Sequence, residues 1–188
     1  MKQRAVLFVF VLALAGALTA KQQPQSAPQQ APSLVTEVQN YYNPIKGNII
    51  KSAAQFPEEK LTWQPTPDVR SWARLIAHIA DDNNGVCSGV VGEQRPPRLD
   101  NEDTPNSAAN KMKKADLEKA LADSFALCDK AFGAVTEANM MERIGSRSKI
   151  GSLIYNTSHI NEHYGNIVTY MRLNGMVPPS TASRGAKK

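Results

Sequence analysis

The chain has 188 residues, 22 basic against 17 acidic side chains, a formal charge of +5 and 41% hydrophobic residues. That is enough chain for one compact domain with a proper core. Its basic residues are scattered among acidic ones, and the densest groups, Lys111 to Lys114 and Arg184 to Lys188, lack aromatic interleaving, which excludes nucleic acid as the expected partner.

Lys2 and Arg4 precede an apolar run from Ala5 to Leu18, which turns polar at Lys21. This is the pattern of a secretory signal, expected over residues 1–20. The run is shorter than the roughly 20 residues a membrane span requires, so cleavage is expected and no stable span after it. Ala15-Gly16-Ala17 offers small residues for the cut, whereas a cut after Ala20 places Leu18 where a small residue is preferred. The expected destination is periplasmic or secreted, and loss of Lys2 and Arg4 leaves a net charge of +3. Residues 21–33, rich in Gln, Pro, Ser and Ala, bury too little apolar surface to fold and read as a flexible spacer. The folded domain is expected over 34–179, with a flexible basic tail over 180–188.

Strand signals are nearly absent. Ser33 can cap a first helix running to about Gln55, in which Leu34, Val38, Tyr41, Tyr42, Ile45, Ile49 and Ile50 recur at helical spacing and Pro44 is expected to kink or break the helix. The next stretch, Phe56 to Pro67, holds three prolines and Trp63, an aromatic placed to plug one end of the core. Asp68 or Ser71 can cap a second helix whose apolar stripe is Leu75, Ile76, Ile79, Val86 and Val90. Gly92 to Lys114 is a long irregular connection, of the kind that carries a chain from one end of a bundle to the other, so helices two and three are expected to be parallel. A third helix follows over about Ala115 to Val135. A fourth runs from about Gly151 to Leu173 and stops at Asn174-Gly175 before Pro178-Pro179. The fold class is all-α, a four-helix bundle with one crossover.

Cys87 and Cys128 fall at matching heights in parallel helices two and three. Export to an oxidising compartment permits a disulfide between them, while two buried reduced thiols fit the same stripes; the sequence leaves both readings open. Neither cysteine lies near a histidine at ligand spacing.

Among three histidines, His159 and His163 are four residues apart on the fourth helix, so one turn brings both imidazoles to the same face, as a metal-ligand pair must be. His78, on the second helix, completes a three-histidine site if the bundle brings it opposite, leaving a coordination position open for chemistry. Asp82, one turn after His78, can accept a proton from an imidazole or join the ligands, and Glu162 and Tyr164 flank the pair. Nitrogen ligands suit a divalent transition metal, with zinc or nickel favoured over iron, cobalt or copper.

The segments Arg70-Ser71-Trp72-Ala73-Arg74-Leu75-Ile76-Ala77-His78-Ile79-Ala80 and His159-Ile160-Asn161-Glu162-His163-Tyr164-Gly165-Asn166, with Tyr170 to Pro179 beyond, resemble the DinB-like superfamily. The likeness extends to the Trp63-x-Pro approach and the long connection. It implies helices in up-down-down-up order and a divalent metal held by one histidine of helix two and two of helix four, positions that match His78, His159 and His163. Characterised members include enzymes using low-molecular-weight thiols such as mycothiol or bacillithiol, which are cytosolic, so the resemblance carries the site further than the reaction. No general base can be placed from sequence.

Three readings follow. The first is a metal-dependent enzyme, a thiol-dependent transferase or a hydrolase acting on a small molecule. The second is a metal or small-ligand binding protein without turnover, and the third a structural or partner-binding bundle whose histidines pack at the core edge. Homodimerisation through a bundle face is compatible with each. The long connection after helix two is expected to border the open side of the metal.

Overall fold

Serines begin three of the four long helices in the computed structural model, which describes residues 32–100 and 106–185. Ser33, Ser71 and Ser148 accept the backbone N–H of Thr36, Arg74 and Gly151, satisfying donors that a helix start leaves open. The helices are α1 (Leu34–Gln55), α2 (Trp72–Val91), α3 (Lys114–Ala134) and α4 (Lys149–Leu173), with a short α5 (Pro179–Gly185) at the end. The signal and nearly all of the spacer lie outside the described residues. Among the described residues no helix is long and apolar enough to cross a membrane.

The molecule is mostly helical, as its periodicity requires. The described strands are β1 (Arg143–Ile144) and β2 (Arg147–Ser148), which pair antiparallel as a small hairpin leading into α4. Pro44 lies within a continuous α1 instead of breaking it. Gly175, at φ +73°, ends α4 in the left-handed region, where a side chain is disfavoured, and the Met176 N–H returns to the Met171 carbonyl. The segment expected as a flexible tail starts as α5 instead, held where the Tyr164 hydroxyl accepts the Ser180 N–H at 3.2 Å.

Cross-helix contacts define the helix directions. Asn83 meets Ser124 and Cys87 meets Cys128, so numbers rise together along α2 and α3. Arg70 meets Tyr170 and Asn83 meets Asn156, so α2 and α4 run oppositely. Tyr42 reaches Asp129 and Lys114 reaches Ala54, so α1 opposes α3. The core between the helices buries Tyr42, Ile49, Leu75, Ile76, Ile79, Phe125, Leu153, Ile160 and Ile167. Each large apolar side chain removed from water contributes roughly 1.5–3 kcal/mol. At one end Phe56 stacks on Trp72 with ring centroids 3.6 Å apart, and Trp63 meets Tyr170 edge-on at 5.5 Å.

Cys87 and Cys128 are joined by a disulfide, their Cα atoms 5.0 Å apart. Beside it, the buried Asn156 amide donates to Asn83 Oδ1 at 2.9 Å. The crossover between α2 and α3 is held from the α2 side. Asp81, almost fully buried, accepts the N–H groups of Leu99 and Asp100, each at 2.9 Å. Arg95 donates to the Asp81 carbonyl at 3.0 Å, and its guanidinium covers Gly85 so closely that a Cβ there would stand 3.1 Å from it. Asp100, fully buried, receives Arg74 Nε at 3.1 Å and the Ser107 hydroxyl.

Candidate metal centre

Antiparallel packing of α2 against α4 brings together two pairs of residues, each pair one helical turn apart. His78 and Asp82 come from α2, His159 and His163 from α4. The ring of His78 stands nearly perpendicular to both others, its centroid 4.6 Å from that of His163 and 5.5 Å from that of His159. Asp82 Oδ2 is 2.9 Å from His78 Nε2 and 3.2 Å from His159 Nδ1, while the Nε2 atoms of His159 and His163 are 2.9 Å apart. One ligand atom from each of the four residues lies within 4.8 Å of the others.

Electrostatics keep His163 and Asp82 in ligating form. Burial pushes His163 down, and the neighbouring His78 and His159 lower it further, to about 4, so at neutral pH the ring is uncharged with a lone pair to offer. Burial alone would raise the Asp82 carboxyl. The hydrogen bond from His78 and the charges of the three imidazoles outweigh it and hold Asp82 below the ordinary carboxylate range. The result is a carboxylate and an uncharged His163 ring beside two further imidazoles, the donor chemistry of a divalent transition-metal site. The fit is visible at His159, whose buried Nδ1 has no hydrogen-bond partner although it faces Asp82. A cation between these groups would meet that need.

Each sequence-derived candidate has a definite place. His78, His159 and His163 converge, and Asp82 stands among the donors rather than behind one of them. Glu162 is exposed and Tyr164 serves α5, so neither belongs to the cluster. Described contacts of the crossover go to Asp81 and the α2–α3 side and, through Asp100, to Arg70 and Arg74 at the start of α2. At this turn of α2 the described crossover contacts fall on Asp81 rather than on its neighbour Asp82. The reason is helical: Asp81 precedes Asp82 by one position, so the two carboxylates point about 100° apart.

Two supporting groups were not singled out from sequence. The Asn166 side-chain amide is 3.4 Å from His163 Nδ1, placed to fix that ring; its position one turn beyond His163 was the available signal. Tyr155 lies over His159 with centroids 5.7 Å apart and is covered in turn by Arg147, 4.0 Å from the Tyr155 ring. This stack bounds His159 on its solvent side.

Comparisons with known proteins agree with this architecture. No curated protein matches the chain. A conserved protein from Enterococcus faecalis has a similar solved structure, with a TM-score of 0.58 and 16% identity over 74% of this chain and 95% of that one. A mycothiol-dependent maleylpyruvate isomerase is similar at a TM-score of 0.55 and 14% identity, over 71% of this chain and 59% of that longer one. Both likenesses show the fold. The sequence profile of the DinB superfamily matches residues 47–167, most of the folded domain and all four donors, and the chain belongs to that superfamily.

Proposed function

We propose that the protein is an exported metal-dependent enzyme, a thiol-dependent transferase or a hydrolase acting on a small molecule, with His78, His159, His163 and Asp82 holding one divalent transition metal. The observation that carries this reading is the convergence of three imidazoles and a carboxylate from two helices onto one place. A structural bundle gains nothing from packing four titratable groups together. Zinc or nickel suits the donors best. Such a metal supplies a lowered pKa to a water or thiol brought to it. Around it, Asp82 neutralises charge, Asn166 orients His163, and the Tyr155–Arg147 stack limits access of water to His159. The name of the similar mycothiol-dependent isomerase supports including thiols among the first co-substrates screened. Export rests on the N-terminal pattern, and a disulfide in the folded domain supports it, since such bonds persist in oxidising compartments.

Elemental analysis of tag-free exported protein tests the reading, alongside His78→Ala and His159→Ala. The expected result is about one transition metal per chain, lost in both variants. Absence of metal from the wild type, even after reloading, would remove the enzyme reading. Bound metal without any metal-dependent turnover would instead make the protein a binding protein.

A further inference from the structure

Along the seam that holds the donors, a cavity of about 560 Å³ opens between the start of α2 and the later turns of α4. Arg70, Arg74, Asn166, Thr169 and Tyr170 line it, and the loop at 65–68 forms one rim. It adjoins the centre on both helices: Arg74 is one turn before His78, and Asn166 touches His163.

Arg70 is the more loosely held of two arginines that share buried Asp100 as counter-ion. Buried Asp100 is engaged by Arg74 at 3.1 Å, whereas Arg70 Nε stands 3.9 Å away, beyond hydrogen-bonding distance, and has no hydrogen-bond partner. The Arg70 side chain is 30% exposed. Its main chain is already fixed, because the Tyr170 hydroxyl donates to the Arg70 carbonyl at 2.8 Å and the Tyr170 ring abuts Trp63. A guanidinium rooted at this rim matches a carboxylate or phosphate with two parallel donors. One carboxylate, Asp68, shares the lining, but it is exposed and therefore well screened by water and salt.

We infer that this cavity binds the anionic end, carboxylate or phosphate, of the small molecule on which the metal centre acts, with Arg70 as its principal anchor and Asn166 at the boundary between the two. The inference rests on the metal-centre reading above and narrows the substrate class to small organic anions. The volume suits a small ligand.

The test is calorimetric titration of the zinc-loaded, tag-free exported chain with succinate and, separately, inorganic phosphate, which distinguishes the two anion chemistries. Arg70→Gln removes the anchor, and Thr169→Asp places a repelling charge in the wall without touching the Asp100 network. At least one anion should bind, and each variant should weaken it roughly tenfold or more, as expected for loss of a charge-assisted hydrogen bond. Zinc content should stay that of the wild type. Binding that is unchanged in both variants, or no binding of either anion by zinc-loaded wild type, would overturn the inference while leaving the metal centre intact. Arg70-dependent anion binding in a protein that takes up no metal would overturn the metal-centre reading and leave the anion site standing.

Discussion

Reduction of the Cys87–Cys128 bond should cost the bundle about 4 kcal/mol of stability, by the chain-entropy relation for a loop of this length. The two cysteines are 41 residues apart, and the intervening chain contains the end of α2, the whole crossover and the start of α3. Opening the bond releases all of it in the unfolded state, a gain of about 13 cal/mol/K at this separation. With a urea m-value of about 2 kcal/mol/M, the midpoint should fall by roughly 2 M. The assay is urea unfolding of metal-free protein followed by far-UV circular dichroism, with and without a thiol reductant at one pH. Cys87→Ala with Cys128→Ala should fall lower still, because both sulfurs come from fully buried positions and Asn156 loses its contact with Cys128. Coincident midpoints for oxidised and reduced protein would refute the reasoning, as would free thiols in protein recovered from an oxidising compartment.

Two further predictions concern the donor cluster. His163 has a folded-state value of about 4 against an ordinary 6.5, so in metal-free protein its contribution is fully present above pH 6.5 and is lost as pH falls toward 4. That loss amounts to about 3 kcal/mol between the two limits. Urea midpoints should show it, and His163→Gln should flatten the dependence; an unchanged slope in the variant would reject the assignment. Asp82→Asn keeps the shape and removes the charge. Its zinc affinity, measured by competition with a chromogenic chelator, should drop roughly 10- to 100-fold, and an affinity equal to wild type would show that Asp82 does not act on the ion.

Much of the helical layout was legible because its signals are local. Ser33 and Ser71 announce helix starts, Asn174-Gly175 announces a stop, and apolar residues at helical spacing mark the faces that became core. The histidine pair was legible for the same reason, since one turn suffices to align it. What escaped depends on other kinds of information. The β1–β2 hairpin is too short to carry an alternating pattern, and α5 has few apolar residues to announce it. Asp81 and Asp82 are indistinguishable as letters, and only the placement of the crossover and α4 separates a carboxylate that binds amides from one that faces imidazoles. Arg70 is likewise ordinary in sequence; that it is held more loosely than Arg74 emerges only when the two are seen to share Asp100.

The consecutive carboxylates have a mechanical consequence. Turning α2 about its axis to widen the donor cluster would drag Asp81 off the amides of Leu99 and Asp100, and the covalent tie from Cys87 to α3 opposes the same rotation. The crossover is thus a torsional stop on the helix that carries half the donors. An ion entering the cluster must match a spacing the fold has already set, so ionic radius becomes a criterion of selection alongside ligand chemistry.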